Sequence, residues 1–570
     1  MKETKIRFIL QSAITCLFLG FSCSAYIRSE SNKRYSSADV KNFVVWAIFE
    51  PVYTKEDIEA ISLIKPDILC RAWFRWDNDL DAFNKYKWVV DSIHKMDIAF
   101  QGGTTCKAIN TKLANFTPEM AAHGENGKPV SVHKGVVPEE IVFMNLYHPK
   151  AREYVLKDAK QQIDLGVDGI WFDEVGNFYN YNEGTLDDVV TKQFTEFLVD
   201  KYVKQRGWSL DDKRWGYIFK IDLAEFGSNI ENFDLRQYLK EFPAVWKILN
   251  NGQAKPEFSS ESNEAPLPIL REYGYPNEWY VEEGTFYYTY TLKHWKELAL
   301  ATKEYAQQTY GFDPIITKNM INLPVPYVSF QQPQCLIAMF PLKGSRLDAT
   351  QDPSWLLDDV MKRSFKASGD VPIVWFVDWP GQINALLGLS VNEQKIYFKI
   401  YVAEAYAHGQ FFALPFKAYY YDARKAGTFS LLLYLSKFYR KYSDLFVQTK
   451  RIIKNEAWAL KARALNLPMI SNHTASISVS RKDITTTIYE KNGKLIIHLV
   501  NHNYAASIKS MTKVVDLNIN LKTDFDFIPN SVRLISPDFP NEESLDFVQD
   551  RYNIRVYIPR LEYYDIIVLQ

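Results

Sequence analysis

Cysteine is scarce in this 570-residue chain, with five in all, and none stands in a Cys-x-x-Cys spacing. Cys16 falls within an N-terminal apolar run and Cys23 just beyond it, which leaves Cys70, Cys106 and Cys335 on separate stretches. An odd number so dispersed argues against a disulfide framework and against a thiolate metal centre. The three read as core thiols, and neither cofactor nor metal is expected. Net charge is equally lacking, since Lys+Arg 67 against Asp+Glu 68 leaves −1. No polyanion is therefore favoured: nucleic acid is not an expected partner, nor is electrostatic adsorption to a membrane. Beyond the N-terminus there is no apolar run long enough to span a bilayer.

What is present begins with a basic start, Lys2, Lys5 and Arg7, then an apolar run from Phe8 to Phe21, then Ser22-Cys23-Ser24-Ala25. This is the pattern of a secretory signal over residues 1–22. The small residues around Cys23 make a loose bacterial lipobox, in which Phe21 departs from the expected small residue. Lipid on Cys23 would then be the chain's one attachment to a membrane, placing it in the cell envelope as an outer-membrane or periplasmic lipoprotein; without lipid it would be secreted. Residues 23–41, rich in Ser, Arg and Lys, fit a tether.

With 47% hydrophobic and 24% charged positions, the chain can bury a large core and should divide into more than one domain. Its 14 Trp, 35 Tyr and 36 Phe suit either a core or the gripping of sugar faces. From residue 42 an alternation of strand and helix sets in. Strands are predicted at Val44–Phe49, Ile68–Cys70 and Ile98–Phe100, with helices over Lys55–Ile64 and through Val89, Val90 and Ile93. The third strand runs into Gln101-Gly102-Gly103-Thr104, whose glycines would admit a ligand or a tight turn. The long loop from Thr105 to Val142 would wall a cleft.

The fourth unit is the most informative. Gly166-Val167-Asp168-Gly169-Ile170-Trp171-Phe172-Asp173-Glu174-Val175-Gly176-Asn177 is an apolar run that stops at two adjacent carboxylates. A helix over His148–Leu165, with Pro149 at its first position, precedes it. A second, capped by Thr185 and burying Val190, Phe194, Phe197 and Leu198, follows. An insertion at about 206–285 interrupts the rhythm and ends in the aromatic run Trp279–Tyr288, ahead of a helix carrying Trp295, Leu298 and Tyr305. Further strands are predicted at Pro314–Asn319, Cys335–Phe340, Pro372–Val377 and Gln410–Leu414. The count reaches the eight or so that close a parallel (β/α)8 TIM-type barrel, here over residues 42–426.

After a connecting helix and linker, 427–469, the pattern turns to strands alone. Thr485–Tyr489 and Lys494–Val500 flank Asn492-Gly493, a strong hairpin signal, and further strands follow to Leu569. Residues 470–570 are expected to form an all-β sandwich. His498 and His502 read as strand residues, because no third metal ligand has a fitting spacing.

The pattern Asp168-Gly169-x-x-x-Asp173-Glu174-x-Gly176 resembles the fourth-strand motif of barrel glycoside hydrolases, particularly the dextranase type and the endo-α-N-acetylgalactosaminidase type. Ile497–Asn501, Ser536-Pro537-Asp538 and Leu561–Asp565 are similar to the closing β-sandwich of such enzymes. The resemblance implies a carbohydrate substrate and makes Asp173 the nucleophile. It also implies an acid/base glutamate on a later strand, whereas the sixth-strand tip here reads Ala338-Met339-Phe340-Pro341.

Cleavage of an O-glycosidic bond needs two carboxyl groups, one to protonate the leaving oxygen and one to attack or to activate water. Asp173, Glu174 and Asp378 are the candidates. Glu50, Arg71, Trp73, Gln101, Asn319, Trp375 and Trp379 would line the same mouth as substrate-binding groups, or else serve as buried strand-end residues satisfied by neighbours. The competing expectation is a surface glycan-binding lipoprotein on a hydrolase-like barrel, which would keep the rings and lack an acid.

Overall fold

The computed structural model describes residues 34–73, 85–123, 128–132, 140–173, 175, 187–219, 221–238, 277–320, 335–339, 373–376, 386–418, 421–453, 460, 464, 469–505, 509–550 and 552–570. Parallel strands follow one another as β1 (Trp46–Phe49), β2 (Ile68–Cys70), β3 (Ala99–Thr105), β4 (Gly169–Asp173), β5 (Ile315–Met320), β6 (Cys335–Met339), β7 (Ile373–Phe376) and β8 (Phe411–Ala418). Each pairs with the next, and β1 pairs with β8, so the sheet closes on itself. This is a (β/α)8 barrel. Strands covered by helices outside and side chains inside have to be apolar on both faces, and β1, β2 and β7 are buried at every position.

The outer helices are set by local chemistry. Helix α1 (Lys55–Ile64) opens with a reciprocal capping box between Thr54 and Asp57 and ends at Lys65 in the left-handed conformation. Helix α2 (Lys87–His94) buries Val89, Val90 and Ile93. Helix α3 (Pro149–Asp164) starts with proline at its first position, where no N–H is needed. Helix α4 (Asp188–Leu198) is capped in position by Asp187, not by the expected Thr185, which lies outside the described residues. Strand β8 continues past Pro415, which ends the predicted strand one residue earlier. The register slips opposite it, between Ile48 and Phe49, and a bulge is where a strand tolerates proline.

The aromatic run expected ahead of a helix is itself helical, because α5 is continuous from Asn277 to Tyr310. Its N-terminal half joins α4 and the 187–238 segment in a separate aromatic core. There Phe286 meets Phe194 edge-on at 5.0 Å and stacks on Tyr147 at 5.9 Å. The last part of the expected tether, 34–41, is packed onto the barrel. Tyr35 is buried and gives its N–H to Asp168 Oδ1 at 2.9 Å, and Arg34 donates to Ile163 O at 2.8 Å.

Beyond α6 (Val391–Ala407) and α7 (Phe429–Lys441), two antiparallel sheets of six and four strands form the C-terminal β domain. Its hairpin turns at Asn492 and Gly493, with φ 49° and 74°, the left-handed pair that a two-residue turn demands. Alternation divides the six-stranded sheet between two cores. Leu495, Ile497, Leu499, Ile567 and Leu569 face the second sheet, and Ile496, Val500, Tyr564, Ile566 and Val568 pack on the barrel.

Candidate active site at the mouth of the barrel

Asp173 ends β4. Strands β3 and β4 run in register from Gln101 opposite Gly169 to Thr105 opposite Asp173, and Cys106 N–H donates to the Asp173 carbonyl at 2.9 Å. The strand tip is thereby fixed from one side. A period of two puts Gly169, Trp171 and Asp173 on one face. That face is the barrel interior, since Trp171 meets Phe376 of β7 edge-on, with ring centroids 5.0 Å apart. The Trp171 indole N–H then reaches Asp173 Oδ1 at 3.2 Å.

A charged partner comes from the end of β2. Arg71 has φ 55°, a left-handed conformation that costs a residue with a Cβ about 1–3 kcal/mol. Its guanidinium lies over the Trp171 ring at 5.1 Å and over Phe376 at 5.9 Å. Nη1 is 3.6 Å from Asp173 Oδ1, and Nε is 3.2 Å from Glu50 Oε2. All three side chains are 1% exposed, so their attractions are weakly screened, and loss of one would leave the others mismatched. Glu50 is fixed in turn: its N–H donates to Lys417 O at 2.8 Å, and Lys417 Nζ holds Pro51 O and Asp57 just beyond it, each at 2.9 Å. The carboxylates of Glu50 and Asp173 thus share one guanidinium.

No family model and no curated protein matches the sequence. In three dimensions the chain is similar to the cycloisomaltooligosaccharide glucanotransferase of Paenibacillus sp., solved with cycloisomaltoheptaose, at a TM-score of 0.56 and 9% identity over 93% of this chain and 85% of that one. It is also similar to α-L-fucosidase isoenzyme 2 of Paenibacillus thiaminolyticus, at 0.51 and 8% over 93% and 99%. The chain shares their fold. At such identities the likeness is one of architecture.

Of the residues expected at the mouth, Glu50, Arg71 and Asp173 come together. Gln101 points into the barrel and donates to Ile315 O at 3.2 Å. It crosses Gly169, where an added Cβ would lie 2.0 Å from that same carbonyl oxygen. Trp73 is fully buried and meets Phe100 edge-on at 5.1 Å. Trp375 is also fully buried and gives its indole N–H to Gln410, ahead of β8, while its neighbour Phe376 takes the inward place. Counting by two from Asp378 selects Phe376, the signal that was available for it. Asn319 lies in β5 opposite Ile337, with its side chain outside the described residues. Glu174, Asp378, Trp379 and Cys23 fall outside them altogether.

The rest of the two motif stretches serves the framework. Asp168 is fully buried and accepts from Tyr35 N, from Phe100 N at 2.7 Å and from His94 Nε2 at 2.8 Å. The glycines of β3 admit a helix side chain where a ligand or a tight turn was expected, since Gln162 of α3 bonds Gly103 N at 3.1 Å and Gly103 O at 2.9 Å. Lys318 of β5 is buried beneath Trp295, 5.5 Å from its ring, and burial brings its pKa down to about 7. The long loop after β3 returns as a hairpin of Ala108–Asn110 with Ile141–Phe143. It is tied to the loop after β4 where Asp187 accepts from His123 Nδ1 at 2.7 Å and Asn145 Nδ2 at 3.2 Å. Burial raises the Asp187 pKa, and His123 opposes it.

Proposed function

We propose that this chain is a glycoside hydrolase that cleaves O-glycosidic bonds in an oligo- or polysaccharide with two carboxyl groups, working outside the cytoplasm on a lipid anchor at Cys23. The observation that carries the reading is Asp173. It ends the fourth strand of a closed barrel, at the carboxyl-end face where barrel enzymes do their chemistry, and it is held there by Trp171 and Arg71. The fold it sits in is also that of a glucanotransferase and a fucosidase.

In this reading Asp173 attacks the anomeric carbon, or stabilises the positive charge that develops there. A second carboxylic acid, Glu174 or Asp378, gives its proton to the departing oxygen, and water completes the hydrolysis. The donor has to stay protonated near neutrality, which burial or a neighbouring negative charge can bring about. Glu174 stands next to Asp173, and Asp378 next to Trp379, so each has one of these effects within its own sequence.

A second reading has one observation in its favour: β6, Cys335–Met339, carries no carboxylate. A barrel without its acid would bind glycans and not cut them. Asp173→Asn separates the two. Wild type and variant are assayed on 4-nitrophenyl glycosides and on a panel of α- and β-glucans and galactosamine-containing glycans, with binding followed by calorimetry. The hydrolase reading expects turnover by wild type, none by the variant and retained binding. Binding without turnover by either protein, or equal rates, replaces it with the glycan-binding reading.

A further inference from the structure

We infer that Arg71, clamped by Glu50, is the positioning residue of this site, setting the place and charge of the Asp173 carboxylate without touching substrate. The inference rests on the reading of Asp173 as the attacking group. An attacking carboxylate has to be ionised and has to keep one direction. The Trp171 indole, a neutral donor at 3.2 Å, supplies direction. It supplies no charge, and in a buried site an ionised carboxylate needs a cation. Arg71 is placed to provide it, with Nη1 3.6 Å from the same Oδ1 that Trp171 addresses. The carboxylate is thus oriented and neutralised from one side.

Glu50 explains why the cation stays. The guanidinium has two edges in use, Nε toward Glu50 at 3.2 Å and Nη1 toward Asp173, and it is flanked by the Trp171 and Phe376 rings. A rigid fork can serve two carboxylates at fixed angles, and a lysine ammonium cannot. Glu50 meets the guanidinium at Nε and Asp173 meets it at Nη1, so the two carboxylates hold it between them. The place of Glu50 is to hold Arg71. The backbone gives an independent sign. Arg71 adopts φ 55° directly after Cys70, at the point where an extended residue would have continued the strand. Such a conformation persists in a residue with a Cβ when the surroundings over-determine it, and it collects at functional sites.

The test has two arms on the full chain. In the first, protein labelled with 13C at the aspartate carboxyl carbons is titrated by NMR, with the Asp173 signal assigned by its loss in Asp173→Asn. Arg71→Met should raise the titration midpoint of Asp173 by about one to three pH units and Arg71→Lys by less, whereas Glu50→Gln, which removes a like charge from the shared guanidinium, should lower it. In the second arm, hydrolysis of 4-nitrophenyl glycosides by Arg71→Met should show the acid limb of kcat/KM moving up with the NMR midpoint and kcat falling by about 100-fold with KM little changed. Added guanidinium ion should restore part of the rate of Arg71→Gly, which a purely structural loss would not allow.

An Asp173 midpoint that stays put in both Arg71→Met and Glu50→Gln overturns the inference, whatever the activity does. A midpoint that moves, joined to wild-type turnover by Asp173→Asn, leaves the coupling standing and removes the hydrolase reading instead. Should Arg71→Met fail to fold, Arg71→Lys decides alone, since it keeps the charge and removes only the fork.

Discussion

His502 of the C-terminal β domain presents Nε2 to the carboxylate of Glu404, which is fully buried on helix α6 of the barrel. The other carboxylate oxygen lies 3.2 Å from His408 Nδ1. Burial pushes the Glu404 pKa up, and the two imidazoles outweigh it and bring it to about 2. One acid therefore ties the two halves of the chain together. Glu404→Gln takes the acid from between two imidazoles and leaves a buried amide in its place, and a buried polar group that loses its partner costs about 1–3 kcal/mol. Urea unfolding at pH 7 should show a loss of that size, and a loss below about 1 kcal/mol would mean that the contact does not hold the halves together.

The same interface makes the fold acid-sensitive. His498 pairs with the Tyr564 hydroxyl at 2.7 Å, and burial first, then His408 and Arg451, lowers its pKa to about 3. In the unfolded chain it takes up a proton below about 6.5, while the folded chain resists until about 3, so stability falls as pH drops through that window. Glu404 adds to the loss lower down. Its stabilisation is present above the ordinary value of 4.5 and disappears as pH falls toward about 2. Relative to His498→Phe, wild type should lose about 1.4 kcal/mol more per pH unit between roughly pH 6 and 4. Unfolding midpoints across that range check it, and parallel slopes would refute it.

Segments that carry their own signals were legible in the sequence. Helix α1 was legible in its amphipathic spacing over Lys55–Ile64, helix α3 in Pro149, and the hairpin in Asn492-Gly493, because periodicity, proline and turn chemistry act within a few residues. Asp173 was legible too, as the acid at the end of an apolar strand. What could not be read was which strand-end residues meet. Glu50, Arg71 and Asp173 sit on separate strands, and Arg71 leaves the extended conformation, so alternation does not foretell where its guanidinium goes. Composition also misleads over 34–41. That polar segment reads as a tether, yet Arg34 lies over the rings of Tyr310 and Phe312 at 4.6 and 4.7 Å and Tyr35 binds Asp168.

The two aspartates of the fourth-strand motif should respond in opposite ways. Asp168 joins the N-terminal segment, β3 and α2 through Tyr35, Phe100 and His94. Asp168→Ala strips three buried donors of their acceptor and should cost about 3–5 kcal/mol. Asp173→Asn keeps its shape, and Glu50 still neutralises Arg71, so it should cost only about 1–2 kcal/mol while losing turnover. Chemical denaturation of both variants decides, and the reversed order would assign the structural part to Asp173.

The glycines of β3 and β4 offer the sharpest test of the barrel's packing. At Gly169 a Cβ would lie 2.0 Å from Ile315 O and 2.7 Å from Ile315 Cβ, so a neighbouring strand's backbone would have to move. At Gly102 the obstacle is Gln162 Oε1, also at 2.0 Å, the end of a side chain that can turn away. Turning away breaks its bonds to Gly103 N and O. Gly169→Ala should therefore be the worse of the two, at or beyond the roughly 3 kcal/mol upper end of overpacking, and Gly102→Ala should fall nearer 1–2 kcal/mol. Gln162→Ala gives the check: in its background the added cost of Gly102→Ala should shrink, because the clash and the lost hydrogen bonds are the same interaction. Full additivity of the two substitutions would show that Gly102 is needed for some other reason.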